Sequence, residues 1–346
     1  MATVQSQFNP LQKGMFVLIV LVFLAAGLWW VVSSSDLLPH YLLEKYLAKN
    51  YPDVLLESFF FQSRSITFPD QLSMNGAQLV LTRGENRFEL SFDRLEITRL
   101  IPDWRGSSHV QITLEKLEGR WKDLSWNNAQ TKMDVFFEDG KVSFLEGTWK
   151  LSRIQYGLYE FTEVSSSVEG DGHKVRFPSL SSEGYGGSIK GQFTLEYDPK
   201  LSYSAGLELQ TLNLRLLGAV NPEVFSKVEG IISGIVAFTG NPSGIQSLEG
   251  NLDIPKGGMI KAVWLKPMVE YIPASSQRDE LEGLIKKNSG LPIQQVSVKF
   301  NSIGEDSLKT EVNLTSRLVQ LVDSTVDLNV EGGLKGLLLP LVLFSQ

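Results

Sequence analysis

The side chains able to do acid–base or nucleophilic chemistry are sparse and scattered. The chain has three histidines, His40, His109 and His173, and no cysteine. None of the three stands at a recognised spacing from a carboxylate and a nucleophile, so no catalytic triad or dyad can be read from the sequence. The absence of cysteine excludes disulfides, thiolate nucleophiles and thiolate metal sites. Three histidines in unrelated contexts also argue against a histidine-rich metal centre. Gly184-Tyr185-Gly186-Gly187-Ser188 is glycine-rich, but no helical pattern follows it. It therefore predicts a tight β turn rather than a phosphate loop or a nucleophile elbow. Asn313-Leu314-Thr315 fits the glycosylation sequon but falls inside an alternating strand. These readings predict a protein that is not an enzyme and has no cofactor or metal. The net charge of −7 and a pI near 5.2 repel phosphate backbones, so nucleic acid is not an expected partner.

What the chain offers instead is apolar surface. No charge occurs from Gly14 to Ser35, and the segment is apolar from Met15 to Val32. About 20 such residues at ~1.5 Å rise each match a hydrocarbon core of ~30 Å, which predicts one transmembrane helix. Its anchoring residues are Met15, Phe16, Leu18, Leu21, Phe23, Leu24, Leu28, Trp29 and Trp30. Lys13 precedes it without an acidic neighbour, which predicts a cytoplasmic amino terminus and a translocated body. A cleaved signal peptide is the rival reading, since Ala25-Ala26-Gly27 supplies small residues. Against it, the apolar run continues through Leu28–Val32, and cleavage would leave a Trp-Trp-Val-Val end in water.

Four regions follow from this: residues 1–14 cytoplasmic, 15–35 the membrane anchor, 36–52 a connecting helix, and 53–346 a β-rich body with a helical insertion at about 262–288. The connecting helix is read from Leu38, Tyr41, Leu42, Lys45 and Tyr46, which fall three and four apart. From Val54 the period changes to two. Phe88, Leu90 and Phe92 alternate with polar residues, as do Val110, Ile112 and Leu114, and Leu201, Tyr203, Ala205, Leu207 and Leu209. Such strands have one apolar and one polar face, and they predict an antiparallel sheet. An aliphatic-Glu-Gly tripeptide recurs at Leu117–Gly119, Leu145–Gly147, Val168–Gly170, Val228–Gly230, Leu248–Gly250 and Val330–Gly332. Two segments break the pattern. Leu214–Phe225 predicts short helical turns with Pro222 opening the second. In the insertion, Trp264, Leu265, Met268, Val269 and Ile272 form an apolar stripe, fitting either a cap on the sheet core or a lid over an apolar groove.

The segment Leu212–Ile260 carries a resemblance. Leu212-Asn-Leu-Arg-Leu-Leu-Gly leads into strands with Gly230, Gly234 and Gly240, then Gly250, Gly258 and Ile260. This resembles the bacterial AsmA-like envelope proteins, and the layout is similar to the type II secretion protein N family. The first resemblance implies an elongated, curved sheet whose concave face takes lipid acyl chains, as in chorein-type lipid-transfer proteins. It also implies a single-pass inner-membrane protein with a periplasmic body that binds or transfers lipid and supports outer-envelope assembly. The second implies a non-enzymatic accessory of a secretion machine, with secretion or envelope proteins as partners.

The residues alone leave two coverings for the apolar face. About fifteen strands at ~4.8 Å spacing make a sheet of roughly 70 Å, more than some forty helical residues can cover. Either the sheet folds onto itself as a sandwich or barrel, or membrane lipids supply the second layer. The resemblance favours lipid, with Leu201, Tyr203, Leu207, Leu209, Phe193 and Leu195 as candidate lipid-facing residues and the insertion as candidate lid.

Overall fold

The computed structural model describes residues 54–329, with breaks at 68–70, 84–85, 99–106, 139–140, 198–200, 221, 242–243 and 304–306, and also residues 44, 45 and 47–49. The expected membrane anchor at 15–35 and the apolar stretch at 334–344 lie outside the described residues. No described helix is long and apolar enough to cross a membrane.

The protein is mostly β, with seventeen strands and a few short helices among the described residues. It divides into two compact units. The first holds the described residues up to Pro178 together with Glu196–Leu201; the second holds Ser179–Leu195 and those from Ser202 onward.

The first unit is an antiparallel meander. β1 (Leu55–Phe60) and β2 (Ser63–Thr67) both pair with β3 (Gln71–Arg83). The ladder then runs through β4 (Asn86–Thr98), β5 (Ser107–Trp121), β6 (Leu124–Glu138), β7 (Lys141–Tyr156) and β8 (Tyr159–Asp171). Hairpin connections between neighbours make this the simplest way to lay long alternating strands side by side.

These strands are too long to keep one alternation from end to end. In β3 the inward residues are Leu72 and Met74, then Ala77, Leu79 and Leu81. The parity of the inward positions changes at Gly76, whose φ is +60°. In β5 it changes at Lys116 (φ 49°), in β6 at Asn128 (φ 53°) and in β8 at Glu163 (φ 48°). The ladder skips Gly76 opposite Asp93, and Ser152 opposite Glu163. Each strand from β3 to β8 therefore takes its extra residue at the same height. The result is a seam of β-bulges across the sheet that keeps the apolar side chains on one face. Polar pairs occupy it: Lys116 Nζ lies 2.6 Å from Asp93, and Asn128 donates to Ser152 Oγ at 2.8 Å.

Left-handed backbone costs an L-residue with a Cβ about 1–2 kcal/mol. Glu163 is exposed, and glycine can take its place without losing packing. Glu163→Gly is expected to raise the unfolding free energy by about 0.5–1 kcal/mol, measured by chemical denaturation, after glycine's own entropic cost is subtracted. No gain, or a loss, would mean that the seam holds no strain at this position.

The second unit is built from β9 beyond Pro178 (β9 spans Lys174–Gly184) and from β10 (Gly187–Glu196), β11 (Ser202–Asn213) and β12 (Glu229–Asn241). These are followed by β13 (Gly244–Ile254), β14 (Gly258–Lys261), β15 (Gly290–Ser302), β16 (Ser307–Ser316) and β17 (Gln320–Asn329). β13 and β14 share the place between β12 and β15. The turn joining β9 to β10 is Tyr185-Gly186, both at positive φ (54° and 76°), as a tight two-residue hairpin requires.

Helices cover part of this unit. α1 (Leu214–Val220) starts where Asn213 Oδ1 accepts from the Arg215 amide. α2 (Pro222–Phe225) follows. The insertion is a 3-10 helix (Ala262–Tyr271) containing Pro267, then α3 (Ser276–Lys286). Ser275 caps α3 by accepting from the Arg278 amide, and Arg278 donates to the Ile272 carbonyl, tying the two helices together. Their buried side chains, Leu214, Leu265, Met268 and Leu281, pack on Ile254, Leu291, Ile293, Val296 and Leu314 of the sheet.

Of the expected connecting helix, Glu44, Lys45 and 47–49 are described and are helical. The buried residue is Leu47, 1% exposed, whereas Lys45, placed on the apolar stripe from sequence, is exposed. Leu47 is drawn inward because it fills a pocket between Leu79, Leu81 and Leu90.

Candidate functional site

The recurring tripeptide explains how the apolar face is made. In each described copy the aliphatic residue turns inward, the glutamate (Glu118, Glu146, Glu169, Glu229, Glu249) is exposed, and the glycine leaves room for a neighbouring side chain or, at Gly147 and Gly170, for a backbone carbonyl. A Cβ on Gly119 would overlap the Trp126 ring, and one on Gly250 would overlap Phe300. Gly240, one of the glycines on which the family resemblance rests, lies under Tyr203 in the same way. The rings are thus laid flat on bare backbone, which smooths the face and restores the packing that glycine lacks.

In the first unit the cross-strand pairs make continuous apolar rows. Leu72, Ile97, Ile112, Met133, Gly147 and Val168 form one row, from β3 to β8. Beyond the seam, Leu79, Leu90, Gly119, Trp126, Ile154 and Phe161 form another. Leu81, Phe88, Trp121, Leu124, Tyr156 and Tyr159 form a third. Burial along the last two rows is graded. The β3 and β4 members Leu79, Leu81 and Leu90 are at most 4% exposed under Leu47 and β1. Trp121, Trp126, Ile154, Tyr156, Tyr159 and Phe161 keep partial access to solvent. Among the described residues of this unit, Glu44, Lys45 and 47–49 are the helical ones, and Leu47 packs on Leu79, Leu81 and Leu90. Burial raises the Tyr156 phenol above its ordinary pKa, with Asp123 adding to the rise. Its hydroxyl stays neutral, as an apolar surface requires.

The residues expected to face lipid divide between the units. Leu201 belongs to the first and is buried. Phe193, Leu195, Tyr203, Leu207 and Leu209 belong to the second. Asn213 donates from its backbone to Tyr185, and Ser188 bonds Gln210, a register that sets Phe193 opposite Ala205 and Leu195 opposite Tyr203. The five therefore share one face. Leu195, Tyr203 and Leu207 are buried, while Phe193 and Leu209 are half-buried. Tyr203 packs edge-on against Phe238 at 6.3 Å, and burial raises its phenol as well.

The candidate lid splits. Leu265, Met268 and Val269 are core residues with Ile272 packed against them, whereas Trp264 is 47% exposed. The physical reason is pitch: a 3-10 turn holds three residues, so Ala262, Leu265 and Met268 share the inner side and Trp264 is rotated off it. The apolar stripe expected from the sequence thus loses its largest member to solvent.

Among the described residues no group of three or more histidines or carboxylates could hold a metal. His109 lies on the opposite, polar face, its Nε2 2.7 Å from Asp134 and its ring stacked on Phe136 at 4.3 Å. That pair fixes a rotamer on the outside of the sheet. His173 sits in the hairpin after β8, where its amide and that of Lys174 donate to Asp171. Desolvation alone would raise the Asp171 carboxyl, but those two amides, together with the charges of Lys174 and His173, hold the pKa below its usual value. A lowered folded pKa contributes stability that is complete above the unfolded value, about 3.9, and is lost as pH falls through the folded one. Below about pH 4, wild-type stability is therefore expected to fall more steeply than that of Asp171→Asn in acid titrations of unfolding. Parallel curves would remove this contribution.

No protein-family model, curated protein or solved structure matches the chain.

Proposed function

We propose that this protein is a lipid-binding component of a bacterial envelope. In this reading residues 15–35 anchor it in the inner membrane, the body from residue 53 is periplasmic, and glycerophospholipid acyl chains lie on the apolar sheet face. The protein holds or passes lipid in support of envelope assembly, and no chemical step is involved. An elongated, curved, groove-like sheet belongs to the same reading.

The observation that supports it best is the graded burial of the two apolar rows beyond the seam of the first unit. Rows of apolar side chains continue from covered positions on β3 and β4 to partly open ones on β5–β8, where Trp121, Trp126, Ile154, Tyr156, Tyr159 and Phe161 gather. An apolar face of this extent calls for an apolar partner, and each CH₂ that it buries contributes about 0.8 kcal/mol. A sandwich would need a second sheet over those rows, and the strands of this unit from β3 to β8 pair in one consecutive meander. The test is mass spectrometry of the molecules that remain on the full-length protein after detergent purification. Diacyl lipid is the expected result, and a lipid-free protein would end the proposal.

A further inference from the structure

Resting on that reading, we infer that the face selects ester-linked lipid, through a hydrogen bond from Trp149 Nε1 to an acyl carbonyl. The apolar rows of the first unit are interrupted once by polar side chains. Thr131 pairs with Trp149, and Trp149 with Ser166, so three neighbouring strands place a short polar row between hydrocarbon rows. Leu114 precedes it on β5, and Leu151 and Val164 follow it on β7 and β8.

The three members differ in how they are satisfied. Thr131 Oγ1 donates to the Thr148 carbonyl at 3.0 Å, and Ser166 Oγ donates to the Ser167 carbonyl at 2.7 Å. Trp149 Nε1 is buried and has no partner. Indole is a donor only, so this atom can be satisfied by an acceptor and by nothing else. Its ring is held edge-on by Phe177 at 5.8 Å, which keeps the N–H in place. A buried donor left unmatched is costly, and an incoming acceptor removes that cost while a hydrocarbon cannot.

On a surface that takes acyl chains, the acceptor that travels with them is the ester carbonyl at the head of each chain. A carbonyl at Trp149 sets a register for the ligand, with its chain lying along the neighbouring rows. An ether-linked lipid has the same chains and headgroup but lacks that carbonyl. It fills the rows and leaves Trp149 unmatched.

The experiment uses full-length protein in detergent, titrated with a phosphatidylethanolamine carrying two ester-linked C16 chains and with its dialkyl ether counterpart. Bound lipid is read by native mass spectrometry. Wild type is expected to prefer the ester by about five-fold, the factor one neutral hydrogen bond supplies. Trp149→Phe, which keeps the ring and removes the donor, is expected to bind both lipids equally. Equal affinity of wild type for the two lipids overturns the inference and leaves the lipid-binding reading standing. A preference that survives unchanged in Trp149→Phe also overturns it, because the carbonyl is then read elsewhere. Binding of neither lipid by wild type sinks the lipid-binding reading, and the inference with it. The wild-type ratio needs no variant, so a folding defect in Trp149→Phe does not shield the claim.

Discussion

Ile154→Glu, purified in detergent alongside wild type, is expected to retain less than a tenth of the lipid that wild type carries. Ile154 lies in an apolar row between Trp126 and Phe161 and is partly exposed. Its glutamate can therefore stay hydrated in the empty protein, and the fold is expected to survive. Seating an acyl chain there would strip that water from the carboxylate, at a cost of several kcal/mol. A loss of only about 1.4 kcal/mol already lowers affinity tenfold. Ile154→Val, which trims one methylene and adds no charge, should keep its lipid. Phospholipid in equal amount on Ile154→Glu and wild type, with both folded by circular dichroism, would place the lipid elsewhere and remove the apolar rows from the argument.

The second large effect concerns stability. Leu281, on the inner side of α3, is 0% exposed and faces the core that the insertion shares with β14, β15 and β16. Leu281→Ala is expected to cost about 3–4 kcal/mol, the sum of lost transfer energy and a cavity that tightly packed neighbours cannot close. Trp264→Ala, on the same insertion but on its solvent side, should change stability by less than about 0.5 kcal/mol. Thermal melts of both variants separate two roles for residues 262–288. A structural cap gives this asymmetric pair. A lid that opens over a groove would give a small loss for Leu281→Ala as well, with the change appearing in ligand uptake instead.

Much of the architecture is legible in the residue pattern, because alternation and turn chemistry are local. Phe88, Leu90 and Phe92 lie on the inner face as their spacing predicts, and Tyr185-Gly186 forms the expected turn. The helical turns expected at Leu214–Phe225 form there, and the helix Ser276–Lys286 lies inside the insertion expected at about 262–288. The most open part of the candidate surface is harder to read. A period-two scan follows Val110, Ile112 and Leu114, then loses the strand at Lys116, because Leu117, Gly119 and Trp121 have the opposite parity. Nothing in the type of residue announces that step: lysine, asparagine and glutamate occupy left-handed positions where glycine would have been the signal. Trp121, Trp126, Ile154 and Phe161, which lie beyond the step on their strands, were therefore out of reach of periodicity, even though two of them are tryptophans. The glycines could be found as a motif, but their purpose depends on which ring crosses from the next strand.

The bulges also bear on how such a chain can change over generations. Six neighbouring strands carry an extra residue at one height, so deleting it from a single strand would turn half of that strand inside out. Adding or removing two adjoining strands together with their turn leaves every other alignment as it was. Descendants of a common ancestor should then differ in length by whole hairpins, and single-residue gaps should be confined to the turns.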